Sequence, residues 1–269
     1  MRKLIFAVIF SGVAAVVSGA TYEVSDLEDL RLKLSNVVVE GDEIVLNPGT
    51  YLIPEEASGL EVSKDNITLS AKGGRDETII DGQSKVQLLK VRGKNFTVKG
   101  ITFKDGFNQS QGGAINIDHQ DRTRTAKIVD CRFIGCKAMQ GGAIYAKDEE
   151  QADYCPRSQC GLISGCSFEE CAVSKANGCG GAVCGSIWIE DSVFDACSID
   201  VTSGGAGYGT SIAALSHMTV TNCVFKNQSV GYTSRCLVGR GQDVFQRWCE
   251  QGSVRLLDCV ISSNTTTIP

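Results

Sequence analysis

Two short motifs alternate through this chain and leave it few ways to fold. The first is Cys131-Arg-Phe133-Ile-Gly-Cys136, which returns as Cys166-Ser-Phe168-Glu-Glu-Cys171, Ser192-Val-Phe194-Asp-Ala-Cys197, Cys223-Val-Phe225-Lys-Asn-Gln228 and Cys259-Val-Ile261-Ser-Ser-Asn264, with Ile101-Thr-Phe103-Lys-Asp-Gly106 as a forerunner. Successive starts lie 30, 35, 26, 31 and 36 residues apart. The second motif is Gly-Gly-Ala, at Gly112-Gly113-Ala114, Gly141-Gly142-Ala143, Gly180-Gly181-Ala182 and Gly204-Gly205-Ala206. A self-similar period of this length is the signature of a solenoid whose units bury their apolar faces only by stacking. In a strand, Cys and Phe two residues apart share a face, so stacked coils would build a Phe column beside a Cys column inside the solenoid. The Gly pair supplies a bend, and the next inward strand begins at Ala114, Ala143 and Ala182.

Before residue 100 the same architecture continues without cysteine. Short β-rich runs, such as Glu43-Ile44-Val45-Leu46, Thr78-Ile79-Ile80-Asp81 and Leu88-Leu89-Lys90-Val91, end at Gly, Asn or Asp. Ser25-Asp26-Leu27-Glu28 reads as a capping box ahead of Leu27, Leu30 and Leu34, predicting a short helix that covers the open first coil and shields its edge from another chain.

The N-terminus points to export. Arg2 and Lys3 precede an uncharged run from Leu4 to Val17 and then Ser18-Gly19-Ala20, the layout of a secretory signal over residues 1–20, which leaves 21–269 as a single domain. No later segment is long and apolar enough to span a bilayer. The thirteen cysteines, all after residue 130, fit an oxidising compartment in which some of them pair. Five Asn-x-Ser/Thr sequons, at Asn66, Asn95, Asn108, Asn227 and Asn264, fit glycosylation. A formal charge of −5, with 26 basic against 31 acidic residues, gives no nucleic-acid footprint.

The succession from Gly41 through Asn108 resembles the opening coils of pectate-lyase-like proteins, and the alternation of Phe-x-x-Cys/Gln/Asn with Gly-Gly-Ala is similar to the repeats of chlamydial polymorphic outer membrane proteins. The resemblance covers nearly all of the chain after the signal and implies an all-β fold, a single-stranded right-handed parallel β-helix of about seven or eight coils with a short N-terminal capping helix. That family carries Asn as the fourth residue of the Phe motif. Here Cys136, Cys171, Cys197, Gln228 and Asn264 stand there, so most of an asparagine ladder is replaced by a sulfur ladder. Same-column cysteines such as Cys136 and Cys171 sit within disulfide range, yet a column of buried thiols serves equally well. Cys155 with Cys160, and Cys236 with Cys249, are expected as loop-closing disulfides, with Cys179 and Cys184 across a Gly-Gly bend as a weaker pair. Two histidines and no Cys-x2-Cys spacing argue against a zinc site.

Enzymes of the pectate-lyase type act on acidic polysaccharides with calcium-binding carboxylates and a basic proton acceptor. The richest polar cluster, Asp118-His119-Gln120-Asp121-Arg122-Thr123-Arg124, follows the strand from Ala114, and counting from each Ala stacks Asp118 on Lys147 and His119 on Asp148. Asp118, His119, Arg122, Arg124 and Lys147 are the candidate catalytic residues, and Asp118, Asp121 and Asp148 the candidate calcium ligands if the chain is a lyase. A solvated loop accounts for the same residues, and neither a hydrolase carboxylate pair nor the Arg-rich lyase pattern is matched. The leading expectation is a non-catalytic secreted or cell-surface protein in adhesion or binding of a polysaccharide or cell-surface glycan, with no cofactor. A polysaccharide lyase or glycoside hydrolase, and a structural coat or matrix component, are the alternatives. The polar tail after Ile261 leaves the last coil's edge open to self-association.

Overall fold

The computed structural model describes residues 19–118, 126–146, 161–175, 178–199, 209–215, 217–230, 244–246 and 253–262, and residues 1–18 of the expected leader and 263–269 of the polar tail lie outside them. Among the described residues all strand pairing is parallel and falls into four sheets of 9, 8, 7 and 4 strands, in each of which the coils follow in chain order. The first sheet runs from Thr21–Val24 and Glu43–Leu46 through Thr97–Lys99, Lys127–Val129 and Gly161–Ser164 to Ser253–Leu257. The second runs from Gly49–Leu52 to Val260–Ser262 and the third from Leu60–Val62 to Val244–Gln246. The fourth, of two-residue strands from Lys137–Ala138 to Ser229–Val230, forms where the Cys-rich half adds a step between the second and third. Each coil visits the sheets in turn and meets its neighbours in unbroken register, which makes the fold a parallel β-helix. The described helix, Leu27–Leu32 and its continuation Lys33–Val37, is too short to cross a membrane.

The Phe motif sets the register of the second sheet. Phe103, Phe133, Phe168, Phe194 and Phe225 pair in sequence, all fully buried. Their rings stack with centroids 5.3, 4.8, 4.7 and 4.7 Å apart and planes within 10°, because the coil spacing of about 4.8 Å holds identical side chains at that separation. Burying each ring is worth roughly 1.5–3 kcal/mol against leaving it in water.

The column cysteines are thiols, so the expected option of a Cys136–Cys171 disulfide is not taken. Same-column side chains point in parallel, and each sulfur is aimed at backbone instead. Cys136, Cys171 and Cys197 donate to the carbonyls of Phe103, Phe133 and Phe168, one coil earlier, at 3.6–3.7 Å. Cys131, Cys166 and Cys259 reach Val98, Ile128 and Val220 in the same way. Gln228 takes over with its amide, donating to Phe194 at 3.0 Å. The thiol ladder thus stands where an amide ladder would, with these sulfurs directed at carbonyls in the middle of strands of the coil before. Burial, and then the cysteine one coil earlier (Cys131 and Cys136), pushes the thiols of Cys166 and Cys171 well up, and burial pushes Cys197 and Cys223 up to about 12, which leaves these sulfurs protonated and inert.

The Gly-Gly-Ala bends behave alike. Gly112, Gly141 and Gly180 adopt φ of 58–66°, and Ala114, Ala143 and Ala182 are buried where the third-sheet strand begins. The next bend departs from expectation: Gly209, at φ 67°, takes the position of Gly180, and Gly209-Thr210-Ser211 leads into Ile212–Ala214. Gly204, Gly205 and Ala206 lie outside the described residues. The buried Ser211 hydroxyl compensates by bonding the Gln228 amide oxygen.

The N-terminal helix caps the solenoid as expected, burying Leu30 and Leu34 against the core. Its cap is Asp26 rather than Ser25: the Asp26 carboxylate accepts from the Asp29 amide at 2.8 Å, while the Ser25 hydroxyl is engaged by Asn47 of the next coil. Tyr51 ties this cap down, its hydroxyl donating to the Val24 carbonyl at 2.8 Å.

Candidate functional site

Along the third sheet, Leu60 and Val62, Leu89 and Val91, Ile115 and Ile117 point inward, and the residue between each pair points out. Alternation at period 2 therefore stacks Glu61, Lys90 and Asn116 in one outer column, continued by Tyr145, Cys184 and Ala213. The next outward positions, Arg92 and Asp118, stand beside this column, each held by a backbone bond to the preceding coil. The Lys90 ammonium lies 3.5 Å from the Asp118 carboxylate and the Arg92 guanidinium 3.1 Å from Glu61.

Asn116 adds an unused acceptor: its Oδ1 is buried and has no hydrogen-bond partner among the described residues. Tyr145, one coil on, is 6% exposed. Burial first, and then the neighbouring Cys184, Cys179 and Asp118, push its phenol well up, so Tyr145 offers a proton rather than a base. The column thus presents Glu61 and Lys90, each held in an ion pair, beside the half-buried Asn116, while the Asn116 amide oxygen and Tyr145 are themselves buried.

Of the candidate catalytic and calcium-binding residues, Asp118 alone falls within the described residues. His119, Asp121, Arg122, Arg124, Lys147 and Asp148 lie outside them, as do Cys155, Cys160, Cys236, Cys249 and Asn264. The register of Ile117 with Ala146 is the one that counting from Ala114 and Ala143 requires. The observed partner of Asp118 is Lys90, one coil earlier, which sequence reasoning passed over together with Glu61, Arg92 and Asn116. The Leu89-Lys90-Val91 alternation carried the signal, but without a Gly-Gly-Ala bend that coil offers no register mark. Among the described residues no three His, Cys, Asp or Glu side chains converge as a metal centre would require.

The sequon asparagines are structural members. Asn66, Asn95 and Asn227 sit at left-handed corners, with φ of 58, 52 and 55°. Asn95 donates its amide to Asn66 at 3.0 Å, Asn66 to Glu40, and Asn227 to Asp195 at 2.9 Å. Asn108 instead accepts from the backbone of Ser110 and Gln111.

No protein-family model matches the sequence, and no curated protein does either. Among solved structures, a rhamnogalacturonan lyase aligns over 92% of this chain and 88% of its own length, at 13% identity and a TM-score of 0.34. A likeness of that size says nothing of the site.

Proposed function

We propose that this protein is a secreted, non-catalytic β-helix that binds a neutral extracellular glycan along the outer face of its third sheet. The observation that carries the reading is the register-aligned column of Glu61, Lys90 and Asn116, with its neighbouring ion pairs. Asp118 and Lys90, the groups best placed to act as base and acid on an acidic sugar, are spent on each other. Their charges cancel locally, which suits hydroxyls better than uronates. Export is supported by the N-terminal run behind Arg2 and Lys3 and by the cysteine content.

The test incubates the full chain with neutral and acidic polysaccharides, with and without calcium, and follows both retention and chain length. Retention of a neutral polymer without shortening, weakened in Lys90→Ala and Asn116→Ala, is the expected result. Shortening of an acidic polymer that disappears in Asp118→Ala would install the lyase or hydrolase reading. Neither retention nor shortening would favour a coat or matrix component.

A further inference from the structure

The Gly-Gly bends bring two outward side chains together, five residues apart, on either side of each glycine pair. Isolated bridges place Gln111, Gln140 and Cys179 in one column before the bends, and the third sheet places Asn116, Tyr145 and Cys184 in the column after them. The third of these bends alone carries sulfur at both positions. Its two Sγ atoms lie 3.0 Å apart, both fully buried, in a small cluster with Tyr145 and Ala213 outside the main core. That separation is about 1 Å beyond an S–S bond of about 2.0 Å. The thiols of Cys136, Cys171 and Cys197 differ in kind, since each is directed at a carbonyl of the coil before.

We infer that Cys179 and Cys184 are a modification site, closed as a disulfide in the mature protein by thiol–disulfide exchange. One thiolate attacks a sulfur of a donor disulfide, glutathione disulfide or a protein oxidant, and expels one thiol. The second cysteine then attacks the mixed disulfide and expels the other, so the pair loses two protons and two electrons while the donor gains them. Because both sulfurs are buried, exchange occurs while the 178–185 bend is open, before or between closures of that coil. The bond clamps a glycine pair that otherwise loses much backbone freedom on folding.

The test refolds the reduced full chain in a glutathione redox buffer, unfolds it with a first alkylating label, reduces it, applies a second label and maps the peptides. Cys179 and Cys184 are expected to carry the second label, and Cys131, Cys136, Cys166, Cys171, Cys197, Cys223 and Cys259 the first. In Cys184→Ser, Cys179 should move to the first label. First label on both Cys179 and Cys184 of the unsubstituted chain, or a peptide joining either to a different cysteine, overturns the assignment. Thermal unfolding of the oxidised chain is expected a few degrees above that of the reduced one.

Discussion

The stacked phenylalanines allow one contact to be weighed against its own absence. Phe168 lies between Phe133 and Phe194, with centroids 4.8 and 4.7 Å away, whereas Phe103 stacks on Phe133 alone and meets Ile80 on its other side. Both rings are fully buried. Replacing either by leucine removes similar apolar area and leaves a similar void, so those costs largely cancel between the two variants. What remains is the second stacked ring, worth about 0.5–1.5 kcal/mol beyond area. With an m-value of about 2–3 kcal/mol per molar urea, Phe168→Leu should lower the unfolding midpoint about 0.2–0.7 M further than Phe103→Leu. Solenoids can unfold from their ends, so position must be controlled for. Ile115→Val and Ile163→Val, fully buried in the same two coils and outside the ring stack, serve that purpose and should cost the same as each other. If the isoleucine pair matches and the two phenylalanine variants also match, the rings act only as apolar area and the stacking argument fails.

Gly142→Ala should destabilise by more than about 3 kcal/mol, because its new Cβ would run into the carbonyl oxygens of Gly181 and Ala172; near-normal far-ultraviolet dichroism and midpoint would refute this. The Asn227 amide, followed by the Lys226 ammonium, holds the Asp195 carboxyl below its ordinary range. Its stabilisation is therefore complete above the unfolded value near 4 and fades as pH falls below that. Asn227→Ala should shrink the drop in thermal midpoint between pH 5 and pH 3, and an unchanged drop would count against the pairing. Burial pushes the Tyr51 phenol up to about 12. The stability it contributes is full below the unfolded value near 10 and is lost between pH 10 and 12. Tyr51→Phe should cost about 0.5–1.5 kcal/mol at neutral pH and remove one phenol from the late part of an ultraviolet phenolate titration, to which Tyr145 also contributes.

The sequence made the coils legible where side chains must repeat to stack. Phe103 to Phe225 and the first three Gly-Gly-Ala bends could be placed because an inward ring and a left-handed glycine each admit few substitutes. The bend at Gly209 escaped because Thr210 and Ser211 break the pattern, and their compensation comes from Gln228, seventeen residues on from Ser211. The sulfur ladder was half legible: spacing fixes the separation of neighbouring backbones within a column but not the direction in which each thiol points. The sequons show a motif with a second origin. Left-handed corners recruit Asn, Asp and Gly, as at Gly100, Asp130, Gly165, Asp191, Asn222 and Asp258, and the strand after a corner often begins with Thr or Ser, so Asn66-Ile67-Thr68 and Asn95-Phe96-Thr97 arise from the fold's own needs. At the candidate site Asp118 was visible as a charge after a strand, but its match with Lys90 depends on a register that only the assembled third sheet supplies.

Arg75 departs from the nearest-neighbour habit of the solenoid. Its guanidinium bonds the Gly165 carbonyl at 3.1 Å, ninety residues further along the chain, and lies 3.2 Å from the Asp130 carboxylate. Thr102 meanwhile holds the Arg75 carbonyl at 2.6 Å. On the ribosome a coil can close on its predecessor once some thirty more residues have emerged, but this clasp must wait for the coil that contains Gly165. At about 5–20 residues per second, that is a delay of roughly 5–20 s. Arg75 therefore takes no part in starting the stack. It latches several finished turns together after they have formed, so its removal should leave the pace of synthesis-coupled folding unchanged and quicken the rate at which the completed stack comes apart.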